Sequence, residues 1–291
     1  MVHSIVNNIR KYCSLIKFSH TIFAMPFAFI GFFLGIKSDI YIFTTEKLVL
    51  VILCMVFARS AAMAFNRYLD RRIDSLNPRT VKREIPMGVI KAKNALLFTI
   101  ISSICFIVAS SFINKACFYL SPVALGTILF YSYTKRFTAL CHMVLGLSLS
   151  YAPIGAYLCV TGYISISSLL LGIAVLTWVS GFDIIYAMQD KDFDKSMNLK
   201  SIPAKIGLKG ALRLSSILHI ITSLSIILVG IIEHMHGIYY IGALVFIAML
   251  VYQHLIVKPD DLSRVNIAFM NANGLASIFF SIFCIMDTLI F

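Results

Sequence analysis

Apolar residues in this chain gather in long blocks separated by short polar breaks. The blocks show neither the strict alternation of half-buried strands nor the narrow stripe of a surface helix. Nine of them stand out, near 18–36, 47–65, 94–113, 116–134, 139–160, 164–187, 211–232, 237–257 and 266–290. Each is close to the roughly 20 residues an α-helix needs to cross about 30 Å of hydrocarbon. The breaks carry turn formers or charge, as at Asn114-Lys115, Lys135-Arg136, Thr161-Gly162 and Lys258-Pro259-Asp260-Asp261. Inside lipid every backbone N–H and C=O must be satisfied within the segment, which helices do. The pattern therefore predicts an all-α polytopic membrane protein with nine transmembrane helices. Pro26 predicts a kink in the first. That first block is too long for a signal-peptide core of roughly 7–15 residues. No linker divides the chain, so 1–291 reads as a single domain.

Composition narrows this further. Hydrophobic residues make up 59% and charged residues 13%, half the usual charge of a soluble domain, about 25%. Soluble globular and disordered classes are excluded. The net charge of +12 would suggest nucleic acid in a soluble protein. Here its placement speaks for topology instead. Twenty of the 25 Lys+Arg fall in the N-terminal segment and in loops 66–93, 135–138, 188–210 and 258–265. Only Lys37, Lys47 and Lys115 fall in the opposite loops. The positive-inside rule places the N-terminus and both long loops in the cytoplasm, with the protein in the inner membrane. A missed helix would scramble that segregation. Both long loops follow an even-numbered helix, which suggests two similar halves. The seven cysteines include no CxxC pair and read as buried apolar groups. The histidines are scattered, without the spacing of a haem or zinc site, and none is well placed at the cavity mouth.

Acidic residues are scarce, and they cluster. Asn66, Asp70 and Asp74 recur every four residues at the end of the second helix. At 100° per residue they stay on one face. Asp183, Asp190 and Asp194 end the sixth helix with spacings of seven and four, and should share a face too. Asp192 points elsewhere. Solvated loop acids are the plain alternative for either ladder alone. Their coincidence at one depth, with Asp183 inside an apolar run, argues against it for the pair. Stacked carboxylates suit a hard divalent cation such as Mg²⁺, which binds through few carboxylates plus substrate phosphates. Cations surround the acids: Arg59 within the membrane, Arg67, Arg71, Arg72, Arg79, Lys82 and Arg83 in or near the first loop, and Lys191 and Lys195 in the second. Most are topogenic, but Arg59 is costly at its depth unless paired. Tyr131 and Lys135, one turn apart, could hold a phosphate or be no more than a belt tyrosine beside a loop lysine. A greasy, Phe- and Tyr-rich bundle with a polar mouth suits an amphiphile with a diphosphate head and an isoprenoid tail.

These residues match a pattern. The chain resembles the UbiA superfamily of intramembrane aromatic prenyltransferases over essentially its whole length. The NxxxDxxxD motif matches Asn66, Asp70 and Asp74. The second motif matches Asp183, the run Tyr186-Ala187-Met188-Gln189-Asp190, and Asp194. The YxxxK element matches Tyr131 and Lys135, and the segment KSIPAKIG at 200–207 resembles the family's. The resemblance implies nine helices around a central cavity capped by the two cytoplasmic loops. It implies Mg²⁺-dependent transfer from a polyprenyl diphosphate to an aromatic acid such as 4-hydroxybenzoate, as in ubiquinone synthesis. Asn66, Asp70, Asp74, Asp190 and Asp194 are then expected to hold Mg²⁺, with Asp70 and Asp190 catalytic and Asp190 the proton acceptor. Arg59, Asn66, Arg67, Tyr131, Lys135, Asp183 and Lys191 are expected to bind substrate, Arg59 through the acceptor carboxylate. Glu84, where many members have proline, and Arg67, where several have aspartate, depart from the pattern. They leave a dihydroxynaphthoate, the acceptor in menaquinone synthesis, open as an alternative. A transporter is the rival from another class, yet it would place its charges near the midplane. No nucleic acid or protein partner is expected.

Overall fold

The structure, a computed structural model, describes residues 10–17, 23–37 and 41–291. Its long elements are all helices. They are α1 (Met25–Lys37), α2 (Thr45–Leu76), α3 (Ala92–Ser111), α4 (Lys115–Thr134) and α5 (Cys141–Thr161). Then follow α6 (Ile166–Ala187), a 3₁₀ turn (Met188–Asp190), α7 (Lys191–Ser196), α8 (Ile202–Ile232) and α9 (Gly237–Ile256). A π-helical turn (Ile267–Ala272) leads into α10 (Asn273–Ile290). Among the described residues eight segments are long and apolar enough to cross a membrane, with α6 to α7 and the π turn to α10 each counted as one. The apolar α1 has 13 residues and is shorter. Residues 18–22, the start of the first expected span, lie outside the described residues.

Three boundaries differ from the sequence pattern. Pro26 is the second residue of α1 and opens the helix rather than kinking it. In a first turn its missing N–H has no partner to lose. Helix α2 continues well past 65 to Leu76, and ends where Pro78 forces Asn77 out of the helical region, at φ −90° and ψ 120°. Helix α8 starts at Ile202, earlier than 211. Ser201 caps it by accepting from the Ala204 N–H, and Gly207, at φ +74°, breaks its first turns from the rest.

Helix α6 is the hub. Trp178 and Phe182 on it meet Phe27 of α1, Phe246 of α9 and Phe269 of the π turn, with ring centroids 5.1–5.4 Å apart. Trp178, Phe27 and Phe246 are fully buried. Glycine lets the backbones approach: a Cβ on Gly31 would collide with the Pro153 carbonyl oxygen, and one on Gly146 with that of Leu176. Small-residue contacts of this kind replace hydrophobic drive between helices in lipid. The wide π turn is stabilised from inside, since Asn273 Nδ2 donates to the carbonyls of Ala268 at 2.9 Å and Phe269 at 3.3 Å. Its Oδ1 accepts from Trp178 Nε1 at 2.8 Å. Outward faces carry exposed Ile217, Ile220, Leu224 and Ile231 on α8, and Leu97, Ile101 and Ile104 on α3. They are the lipid-facing surface of an integral membrane protein.

Buried Asp287 of α10 caps α9 from another helix. It accepts from the N–H of His236 at 2.9 Å and of Tyr239 at 3.1 Å. Asp287→Ala leaves those donors without partners and should cost about 2 kcal/mol. Thermal unfolding of the protein in detergent should fall by several degrees, with turnover at lower temperature unchanged.

Candidate active site

The first ladder forms as its spacing requires, because α2 stays helical through it. Asp70 and Asp74 are both buried. Asn66 Nδ2 donates to Asp70 Oδ2 at 3.2 Å. Arg136 Nη2 donates to Asp70 Oδ1 at 2.8 Å, and Lys135 Nζ lies 3.7 Å from Oδ2. Asp74 Oδ1 accepts from Arg83 Nη1 at 2.7 Å. Its Oδ2 is buried without a hydrogen-bond partner among the described residues.

The second ladder does not keep one face. The 3₁₀ turn at Met188–Asp190 changes the angular step between Asp183 and Asp190, so arithmetic for a continuous α-helix fails there. Asp183 on α6 accepts from the imidazole of His142, Nδ1 to Oδ2 2.7 Å. Asp190 is clasped by the Arg79 fork, with Nε 2.9 Å from Oδ1 and Nη2 on Oδ2, and also accepts from Asn77 Nδ2 at 3.2 Å. Asp194 is buried on α7 beside Ser201 and Lys135. The loop between α2 and α3 thus pins both ladders, Arg83 on one and Arg79 on the other. Arg79 also donates to the Tyr186 hydroxyl at 2.7 Å and stands 4.9 Å over its ring. Burial works against the Arg79 charge, but the hydrogen bonds and attraction of Asp190 outweigh it, and its pKa lies above the ordinary value.

A cavity of about 930 Å³ opens beside these groups. Its polar end is lined by Arg79, Lys82, Arg83, Glu84, Arg67, Asn66 and Tyr131, with Asp183 and Arg59 further along. Beyond them it is apolar, running past Met55, Leu149 and Cys117 to Leu120, Val123 and Ile164. The last three are also exposed on the outer surface, so this end is open. Arg59 Nη2 donates to the Lys17 carbonyl at 3.1 Å, while its buried Nε has no partner among the described residues. Arg67 is buried, and its Nε also lacks one.

Asn66, Tyr131, Asp183, Arg59 and Arg67 line the cavity. Asp70, Asp74, Asp190, Asp194 and Lys135 lie behind the lining, and the acids meet cations or polar neighbours there. Lys191 does not join the site, since its Nζ lies 3.9 Å from exposed Asp192. Sequence reasoning missed Arg136 as the main partner of Asp70, and Asn77 as a link between the ladders. The only signal for Arg136 was its place next to Lys135. It also missed His142, a lone histidine in an apolar run.

Among the described residues no three His, Cys, Asp or Glu side chains gather closely enough to hold a metal alone. The five-residue Mg²⁺ shell is thus not assembled as a protein-only cage, because arginines and a lysine stand among its acids. The donors are nevertheless hard oxygens, and the unpartnered Asp74 Oδ2 is a ligand atom without a ligand. Such a set fits Mg²⁺ of the kind completed by substrate phosphate and water.

Fold and site together define an integral membrane protein whose largely apolar cavity ends among charged side chains. The UbiA prenyltransferase family model matches residues 24–278, and the chain belongs to that family; it is a polyprenyltransferase. It is 31% identical over 236 residues to a 4-hydroxybenzoate octaprenyltransferase of Tolumonas auensis, covering 81% of this chain and 82% of the relative. A protein of the same name from Aliivibrio fischeri is 31% identical over 238 residues, covering 80% and 81%. Among solved structures, a UbiA homolog from Aeropyrum pernix K1 superposes with a TM-score of 0.79 at 29% identity, covering 93% of this chain and 97% of that one. A UbiA homolog from Archaeoglobus fulgidus bound to DMAPP and Mg²⁺ shares the fold, with a TM-score of 0.76 at 20% identity, covering 97% and 100%.

Proposed function

We propose that the enzyme transfers the prenyl chain of a long polyprenyl diphosphate to 4-hydroxybenzoate, with Mg²⁺ as cofactor, at the cytoplasmic face of the inner membrane. The observation that carries this reading is the set of cation-covered acids at the polar end of an apolar, open-ended cavity. The names of the curated relatives support the acceptor, and the A. fulgidus homolog bound to DMAPP and Mg²⁺ supports the donor head group.

Asn66, Asp70, Asp74, Asp190 and Asp194 would hold Mg²⁺ together with diphosphate oxygens. The bound ion supplies positive charge that makes the diphosphate a better leaving group. Arg79, Arg83 and Arg136 carry forks that suit phosphate as well as carboxylate, and Lys135 adds a point charge. A diphosphate bound against the acids would draw these cations from carboxylate to phosphate. Tyr131 adds a phenol donor. The allylic C–O bond then breaks, and both its electrons leave with the diphosphate. The faces of Tyr186 and Phe182, which line the cavity, favour the allylic cation. A ring carbon ortho to the acceptor's phenol forms the new C–C bond and gives up its proton. Asp190 is poorly placed to take that proton, because Arg79 and Asn77 occupy its oxygens and it lies behind the lining. Asp183, on the cavity wall, is the better acceptor. Arg59, whose Nε has no partner among the described residues, would take the acceptor's carboxylate, and Arg67 would lie beside the head group. The apolar walls of the cavity would limit access of water to the cation.

The test is to incubate purified protein with Mg²⁺, a polyprenyl diphosphate and a mixture of 4-hydroxybenzoate and dihydroxynaphthoates, and to identify products by mass spectrometry. A prenylated benzoate, lost in EDTA and regained with Mg²⁺, is the expected result. A prenylated naphthoate alone would overturn the acceptor assignment.

A further inference from the structure

His142 lies at the start of α5, 3% exposed, with its imidazole between two segments remote in sequence. On one side Nδ1 is 2.7 Å from Asp183 Oδ2, on the wall of the cavity. On the other, the backbone N–H of Ile202 donates to Nε2 at 3.4 Å. The second contact settles the proton's place. Nε2 faces a donor and must accept, so Nδ1 carries the hydrogen and donates it to the carboxylate. One ring hydrogen, on Nδ1, meets both contacts. Protonation at Nε2 would set one N–H against another.

The Ile202 amide belongs to the segment that returns from the second ladder to α8. That segment is fastened at Lys200 and Ile202 to the end of α4 and the start of α5. The Lys200 N–H donates to the Lys135 carbonyl at 2.7 Å, and Cys141 Sγ lies 3.5 Å from the Lys200 carbonyl. Ile202 then meets His142. Ser180 Oγ donates to the His142 carbonyl at 3.1 Å and fixes its backbone against α6, one turn from Asp183. The ring has no access to the cavity and does not line it.

We propose that His142 is a positioning residue: it holds the Asp183 carboxylate toward the acceptor and makes that hold depend on the seating of residues 200–202 beside the second ladder. Seating of the segment and orientation of Asp183 then rise and fall together. This inference rests on the reading of Asp183 as the group that meets the acceptor.

Three variants test it, with geranyl diphosphate and 4-hydroxybenzoate as substrates. His142→Phe keeps the bulk and removes both hydrogen bonds. His142→Gln can donate to Asp183 and accept from Ile202 through one amide. Asp183→Asn tests the underlying reading. His142→Phe should lower kcat/KM for 4-hydroxybenzoate by about 10- to 30-fold, the worth of one hydrogen bond to a charged group. KM for geranyl diphosphate should stay within twofold. His142→Gln should recover most of the loss. Amide exchange at Ile202 should speed up in His142→Phe and not in His142→Gln. Acceptor kinetics unchanged in His142→Phe, while Asp183→Asn is impaired, would overturn the positioning role alone. A loss shared equally by both substrates and not recovered by glutamine would reduce His142 to packing and also overturn it. Normal acceptor kinetics in Asp183→Asn would sink the Asp183 reading and this inference with it.

Discussion

Asp70→Asn is expected to lower kcat by about 10³-fold or more while the protein stays folded. The size follows from what the carboxylate does. It is held by three residues, Asn66, Arg136 and Lys135. Removing a group that stabilises charge in the transition state commonly costs about 10²–10³. On the proposed reading the loss would also remove a seat for Mg²⁺. Asparagine keeps the size and can still accept from Arg136, so the helix contacts survive. Asp70→Ala should be as inactive but somewhat less stable, because Arg136 and Lys135 lose their counter-ion. Both cations are about one-third exposed and can turn to solvent, which limits that penalty. Steady-state turnover, with thermal unfolding as the control, decides the matter. Asp70→Asn turning over within tenfold of the unaltered protein would contradict the metal assignment.

Arg59→Leu should separate activity from stability. Arg59 lies eleven residues before Asp70 on α2, about 16 Å deeper by helical rise. Among the described residues its one hydrogen bond goes to a carbonyl, its buried Nε has no partner, and no carboxylate pairs with it. A buried charge held this way destabilises the folded protein, and replacing such groups by apolar ones is often neutral or favourable. Leucine should therefore leave the melting temperature unchanged or raise it. The cost should fall on the acceptor, since a charge-assisted pair with its carboxylate is worth about 2–3 kcal/mol. That corresponds to a loss of roughly 10²-fold in kcat/KM for 4-hydroxybenzoate, with little change for the prenyl diphosphate. A variant that is less stable and equally active would show that Arg59 serves the fold instead.

How far the sequence could be read follows from where its local rules hold. Asn66, Asp70 and Asp74 were legible as a ladder because α2 keeps its α-helical step to Leu76. Asp183, Asp190 and Asp194 were legible as important but not as a geometry, because the 3₁₀ turn between them cannot be seen in spacing. The membrane class followed from hydropathy. The short α1 and the early start of α8 did not, since Pro26 and Gly207 act through local backbone conformation. Pairings were the least legible. Eight basic residues crowd the first loop, and nothing in their order says that Arg79 takes Asp190 while Arg83 takes Asp74. Partners of that kind are chosen by how helices distant in sequence pack. The same holds for His142, whose two contacts lie 41 and 60 residues away.

The open far end of the cavity bears on the product. Leu120, Val123 and Ile164 belong both to its wall and to the outside of the protein. A closed pocket measures what it holds, whereas a chain passing this point enters a solvent of its own kind and meets no stop. On the proposed reading the cavity would place no limit of its own on the number of isoprene units in the product.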